Sequence, residues 1–384
     1  MQDKFKIFRV VTVANCVPWH LANFIERAKN DYVVYVIGDN VSVHAQSYPQ
    51  INFIDIPIAR KINVLNDVKA LFILFYYCIK FRPTIIHSIM PKAGFLSAVA
   101  GFCAGVPFRF HTFTGQVWYE RKGLFRKMLQ LMDKLIIVLN TACLTDSKSQ
   151  SEYLLQNGIG THGKPLNYLG KGSLGGINLL KFDKIHIQDE ARLLAQELAI
   201  DKQNFVFAFI ARKNYLKGIR ELLAAFAVIS QHYDFVKLLF IGPEDVEGVT
   251  DALLEKYPAA KKSIININKS VNNHESYLAI SDVLCLPSYR EGFGSIVIDA
   301  AAVGVPTIGT RVVGLVDAIE DGVTGLLIDA RSVEQLINAM ELLIKDKNLL
   351  LAISSQAEKR VREFFSADYI YALQMDYYQS FMCL

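Results

Sequence analysis

The chain has 384 residues, more than one hydrophobic core usually serves, so two domains are expected. With 52% hydrophobic and 20% charged residues it is globular, and its longest apolar run, Ala70–Ile79, is about half a membrane span. The net charge of +4 conceals an asymmetry, because residues 1–175 carry 20 basic residues against 10 acidic ones and residues 176–384 carry 21 against 27. A basic half beside an acidic half suggests a polyanionic surface partner, and an anionic membrane face or a diphosphate-bearing lipid fits better than nucleic acid, for which no binding module is present. No signal peptide opens the chain, and six scattered cysteines without a Cys-x-x-Cys pair read as buried thiols of a reducing cytoplasm, not as a zinc site.

Lys6–Val13 is β-branched and reads as the first strand, Asn15–His20 as its loop and Leu21–Lys29 as a helix. Strands follow at Val33–Gly38 and Ile51–Ile58. Leu65–Phe81 is a helix apolar nearly all round, with Pro83 ending its reach. Thr84–Ser88 is a strand, Pro91-Lys92-Ala93-Gly94 opens a helix, and Phe108–Phe113 is a strand running into Thr114-Gly115-Gln116-Val117-Trp118. The βαβαβ alternation argues for a parallel sheet with helices on both faces, whose ligands bind at the carboxyl ends of the strands. His87, Lys92 and His111 fall at such ends. His111 taken alone reads as a hydrogen-bonded structural histidine. Leu124–Leu139 sets Arg126, Lys127 and Lys134 among leucines and isoleucines, the composition of an interfacial helix and equally of a solvated helix over a core.

The glycine-rich stretch Leu169–Ile177 marks a crossing between domains, with the boundary near residue 175. Phe205–Ala211 is an almost purely apolar strand, as at the centre of a parallel sheet. Arg212 and Lys217-Gly218 follow at its carboxyl end, a cationic pair suited to a diphosphate. Asp282–Pro287 is a short buried strand, Ser295–Val303 a helix stopped by Gly304, and Glu291-Gly292-Phe293-Gly294 the turn between them. A helix start offers free N–H groups to phosphate oxygens. Asp299, one turn after Ser295, leans back toward that turn, so Glu291 and Asp299 border one anion-friendly crevice.

The string Pro-Ser-x-x-Glu-Gly-Phe-Gly with Glu-x7-Asp, followed by Gly-Val-Pro-Thr-Ile-Gly-Thr and Gly-Val-Thr-Gly-Leu-Leu, resembles the retaining glycosyltransferases of family 4. Ile-His-Ser-Ile-Met-Pro-Lys-Ala-Gly and His-Thr-Phe-Thr-Gly-Gln-Val-Trp look like the bacterial branch that builds polysaccharide, O-antigen or capsule on a polyprenyl diphosphate. The resemblance implies the α/β GT-B fold of two Rossmann-like domains: 1–175 for the acceptor, joined by the tail 365–384, and 176–364 for the nucleotide sugar. It implies donor binding by Arg212, Lys217, Glu291, Gly292, Phe293, Gly294, Ser295 and Asp299, with His111 beside the donor sugar and Lys92 and Thr114 as acceptor contacts. The pattern departs from the family at Asp299, where glutamate is usual, and at Leu216, where an acid precedes the lysine. The expected activity is sugar transfer from a UDP-sugar to a lipid-linked saccharide, at the inner face of the cytoplasmic membrane. No Asp-x-Asp triplet occurs, so neither metal nor other cofactor is expected. A UDP-sugar 2-epimerase of the same fold and a non-catalytic saccharide-binding subunit stay open as alternatives. A dinucleotide oxidoreductase is disfavoured, because the first strand is not followed by Gly-x-Gly-x-x-Gly.

Overall fold

In a computed structural model that describes residues 4–58, 63–160 and 163–382, the chain divides into two units, 1–176 with 367–384 and 177–366. The first is built on seven parallel strands: β1 (Lys6–Val13), β2 (Val33–Asp39), β3 (Asn52–Asp55), β4 (Ile85–Ile89), β5 (Phe108–Phe113), β6 (Ala142–Thr145) and β7 (Leu166–Tyr168). Their order is β3-β2-β1-β4-β5-β6-β7, so the chain reverses direction of travel between β1 and β4. The middle strands are buried on both faces, which is why their sequences are continuous apolar runs and not alternating ones. β3 is shorter than the sequence suggests, and β7 carries no sequence signal strong enough to expect it. Asn15–His20 is not an open loop: Val17–Leu21 winds as one π-helical turn with Pro18 near its start, leaving Trp19 60% exposed.

Five helices connect these strands: α1 (Ala22–Ala28), α2 (Val64–Phe81), α3 (Pro91–Cys103), α4 (Gly123–Leu139) and α5 (Lys148–Gln156). Asn63 caps α2 by accepting from the Asn66 amide at 3.2 Å, and Arg82 closes it in the left-handed region ahead of Pro83. α2 buries only Ala70, Leu74 and Cys78, while Leu65, Val68, Phe72, Tyr76 and Ile79 form an exposed stripe at helical spacing. α4 does the same, burying Ile136 and Ile137 and exposing Leu124, Met128, Leu131, Leu135 and Val138. Both helices pack on α3.

Trp118 is fully buried, which removes it from any exposed aromatic surface. It stacks on Tyr153 and donates Nε1–H to Asp133 at 2.7 Å. Burial pushes the Asp133 carboxyl up to about 7 against the lowering effect of that bond. The folded chain therefore holds a proton that the unfolded chain has lost, so this group's stabilising contribution is complete below about pH 4 and disappears as pH rises through 7. Asp133→Asn keeps an acceptor for Trp118 and removes the titration. Comparing melting curves at pH 5 and 8, we expect the wild type to lose roughly 2–3 kcal/mol relative to the variant across that interval.

The second unit carries six parallel strands, β8 (Phe205–Ile210), β9 (Val236–Ile241), β10 (Ile264–Ile267), β11 (Val283–Leu286), β12 (Thr307–Thr310) and β13 (Gly325–Ile328). They are ordered β10-β9-β8-β11-β12-β13, with the reversal between β8 and β11. Around them lie α6 (Lys184–Glu197), α7 (Ile219–His232), α8 (Val249–Leu254), α9 (His274–Ala279), α10 (Ser295–Ala302), α11 (Leu315–Ala318), α12 (Val333–Lys345) and α13 (Lys347–Phe364). The two faces of the sheet hold separate apolar clusters, one around Leu284, Leu286 and Val297 and one around Phe207, Phe226 and Leu238.

The last helix, α14 (Ala367–Met382), belongs to the first unit, where Tyr378 is buried. Arg9 donates from Nη1 to Tyr378 Oη at 2.8 Å and to His87 Nδ1 at 3.1 Å, and Gln374 donates to the same phenol at 3.0 Å. His87, expected at a strand's ligand-binding end, lies inside β4 and completes this cluster through Thr112 Oγ1 at 2.7 Å. The cysteines are buried as expected except Cys103, which is exposed, and Cys383 lies outside the described residues.

Candidate active site

The reversal between β8 and β11 places two loops side by side at the carboxyl edge of the second sheet. The first runs Arg212–Gly218. Asn214 accepts from the Lys217 amide at 3.1 Å and donates Nδ2–H to Asp245 at 2.6 Å, while Arg212 Nη1 pairs with the same carboxylate at 3.3 Å. Gly218 takes φ 70°, and a Cβ there would stand 2.0 Å from the Pro287 carbonyl oxygen. Glycine thus lets this loop press against the end of β11. The Leu216 carbonyl accepts from the Tyr289 amide at 2.8 Å, tying the two loops together.

The second loop runs Ser288–Gly294. Lys217 Nζ forms an ion pair with Glu291 Oε1, and Ser288 Oγ donates to the same oxygen at 2.8 Å. Both charged side chains are largely shielded, at 20% and 11% exposure, so the pair is a built element and not a surface contact. Thr310 Oγ1 holds the Ser288 carbonyl from β12. Gly294, at φ 86°, ends the loop and caps α10 with no side-chain acceptor, which leaves the helix start available to an anion. Phe293 turns into the core against Phe365, so it offers the site only its backbone, whereas Ser295 is exposed. Asp299 is one-quarter exposed, and His274 Nε2 lies 3.1 Å from its Oδ2.

The second unit therefore brings together Arg212, Lys217, Glu291, Gly292, Gly294, Ser295 and Asp299 around two adjoining loops. The remaining expected residues belong to the first unit. His111 is wholly buried, with Nδ1 3.0 Å from Ser88 Oγ and its ring edge-on to Phe113. Burial pushes its imidazole down to about 3, so the ring is neutral. Its Nε2 is buried without a hydrogen-bond partner, a group able to bind a hydroxyl. A Cβ on Gly94 would lie 2.4 Å from His111 Cε1, so that glycine gives the ring its room. Lys92 Nζ pairs with Asp67 of α2 at 2.9 Å, and Thr114 is half-buried just past β5.

Sequence reading missed three contributors. His274 carries no local signal pointing to Asp299, 25 residues on. Lys213, beside Arg212, carries no local signal that sets it apart from a surface cation. Instead it is buried, its Nζ bound by Asn266 Oδ1, Asn268 Oδ1 and the Ile267 carbonyl, and burial pushes it down to about 8. Ser288 is the third, and its place directly after Pro287 in the quoted string was the available hint. Among the described residues no group of three or more His, Cys, Asp or Glu side chains could hold a metal ion.

The family model described as "Glycosyl transferases group 1" matches residues 191–360. The capsular polysaccharide biosynthesis glycosyltransferase CapM of Staphylococcus aureus is 29% identical over 377 residues, spanning 98% of this chain and 97% of that protein. The UDP-Gal:alpha-D-GlcNAc-diphosphoundecaprenol alpha-1,3-galactosyltransferase of Escherichia coli is 24% identical over 316 residues, 80% of this chain and 78% of that one. Among solved structures, Anabaena HepE in complex with UDP superposes with a TM-score of 0.78 at 18% identity, covering 98% of this chain and 100% of that one. With two doubly wound parallel sheets and the Glu291 loop at the second sheet's reversal, the chain is a glycosyltransferase of the GT-B fold, similar over most of its length to enzymes of bacterial capsule and O-antigen synthesis.

Proposed function

We propose that the chain transfers a sugar, with retention of configuration, from a UDP-sugar to a saccharide carried on a polyprenyl diphosphate. The observation that carries this reading is the shielded Lys217–Glu291 pair beside the uncapped start of α10, with Arg212 on the adjoining loop. A diphosphate entering there meets an ammonium, a guanidinium and free helix N–H groups, all fixed before it arrives. As Lys217 turns to phosphate, Glu291 is released to accept from donor sugar hydroxyls, and Ser288 keeps its carboxylate oriented. Charge that develops on the leaving diphosphate is stabilised by Arg212, Lys217 and the amides after Gly294. The leaving phosphate takes the acceptor proton, so no protein base or nucleophile is needed. Asp299 holds the ribose. In the first unit, Lys92 and Thr114 serve the acceptor. The reaction runs without a bound metal, and full activity in chelator is the expected result.

The two apolar stripes support docking on a membrane, where a polyprenyl acceptor resides. Leu65, Val68, Phe72, Tyr76 and Ile79 on α2, and Leu124, Met128, Leu131, Leu135 and Val138 on α4, flank α3, with Arg121, Lys122, Arg126, Lys127 and Lys134 around the second stripe. Apolar residues insert while the cations meet anionic headgroups. No helix among the described residues is long and apolar enough to cross a membrane. Leu124→Glu/Leu131→Glu should cut flotation with anionic vesicles about tenfold while leaving UDP affinity unchanged. Equal flotation of the variant would reject the α4 face.

The reading as a whole is tested by a thermal-shift panel of UDP, GDP, ADP, dTDP, CMP and NAD, followed by product analysis with a UDP-sugar and a polyprenyl-diphosphate saccharide. A ligand at about a hundredfold its Kd adds roughly 2.7 kcal/mol of stability. Stabilisation by UDP with glycosylated lipid as product is expected. A new UDP-sugar formed without acceptor would instead mark an epimerase, and binding without turnover a saccharide-binding subunit.

A further inference from the structure

Asp299 sits on the face of α10 opposite its buried residues Val297, Ala300 and Ala301, and its carboxylate is short for a group that must reach past the first turn of the helix. One of its oxygens, Oδ2, is engaged by His274 Nε2 at 3.1 Å. His274 is itself seated from two sides. Its ring lies against Phe182 with centroids 5.6 Å apart, its Nδ1 is 3.7 Å from Glu275 Oε2, and that carboxylate is paired with Lys181 at 3.0 Å. The pair remains open to a ligand, since His274 and Asp299 are 25% and 24% exposed. Nothing in the immediate sequence of α10 supplies this partner, because it comes from the start of α9.

We infer that His274 is a positioning residue for the ribose of the donor nucleotide, acting by fixing the plane of the Asp299 carboxylate; this rests on the nucleotide-sugar reading above. A vicinal diol is recognised by an acceptor whose lone pairs are aimed at two hydroxyls. An aspartate with one oxygen pinned keeps the other, Oδ1, directed outward, and the Nε2–H that pins it compensates the charge. An unpinned carboxylate rotates freely about its last torsion, so binding the diol would cost that freedom. A glutamate would reach about 1.5 Å further and need no such support. The histidine thus adapts a shorter acid to the same task.

The test uses the full chain and isothermal titration with UDP, 2′,3′-dideoxyuridine diphosphate and inorganic pyrophosphate. The wild type should prefer UDP to the dideoxy nucleotide by about tenfold or more. In His274→Ala that preference should shrink to about twofold, while pyrophosphate affinity, which reads the Arg212 and Lys217 end, stays unchanged. His274→Gln, whose amide can donate to the same oxygen, should retain most of the preference, and so separates positioning from a loss of folding. An unchanged UDP-to-dideoxy ratio in His274→Ala, or no preference in the wild type, overturns the inference while leaving UDP binding and the proposed reaction intact. Failure of the folded wild type to bind UDP at all overturns both.

Discussion

Lys217→Ala should lower kcat/KM by about 10²–10³-fold, the loss expected when a fixed donor to a charge that appears in the transition state is removed. Two consequences combine. The leaving diphosphate loses its ammonium, and Glu291, shielded and sharing its oxygen with Ser288, loses its counter-charge. The second effect should appear without substrate, as a stability loss of about 1–3 kcal/mol in thermal unfolding. Lys217→Arg restores the charge but not the compact geometry and should recover only part of the activity. Single-turnover rates and the melting temperature separate the two effects. If kcat/KM is unchanged in Lys217→Ala, Lys217 takes no part in transition-state stabilisation.

Gly218→Ala is the second large effect, and it acts through the backbone. The methyl group would stand 2.0 Å from the Pro287 carbonyl oxygen at a residue whose φ is 70°, so both the space and the conformation oppose it. Relief requires the Arg212–Gly218 loop to move off the end of β11. That movement breaks the Tyr289-to-Leu216 bond and pulls Lys217 from Glu291. A cost of about 3 kcal/mol or more is expected, read as a fall in melting temperature of roughly 6–12 °C. Donor binding should fall with it. A variant that melts like the wild type would show that the two loops are not pressed together in solution.

Much of this arrangement can be read from the chain itself. The apolar runs Lys6–Val13 and Phe205–Ala211 declare strands buried on both faces, and the Glu291-Gly292-Phe293-Gly294 turn before an alanine-rich helix declares a strand-to-helix crossing. Ser295 and Asp299, one turn apart, are both among the residues of α10 that are not buried. What the sequence hides is mostly long-range pairing of polar groups. Lys213 and Arg212 are adjacent cations with opposite fates, one buried among Asn266, Asn268 and a carbonyl, the other half-exposed beside Asp245. His87 was expected at a ligand-binding strand end, yet its ring nitrogens are claimed inside the first unit by Arg9, Tyr378 and Thr112, just as the indole N–H of Trp118 is claimed by Asp133. Periodicity reports which face of an element is apolar, but it does not report which distant side chain will satisfy a buried polar atom. Nor does it tell which side of α2, apolar nearly all round, the fold covers: only Ala70, Leu74 and Cys78 are buried.

The polar cluster around Arg9 ties the beginning of the chain to its end. Arg9 lies in the first strand, and Tyr378, whose phenol oxygen accepts from its guanidinium, is made 369 residues later. On a ribosome that interval lasts on the order of 20–70 s. Throughout it, the nascent first unit holds a guanidinium in its interior without the phenol that completes it. The second unit, continuous from 177 to 366, has no such debt and can finish first. The second unit can therefore be complete before the first, and a chain cut short before α14 would present quality-control proteases with an incomplete first unit and a complete second one.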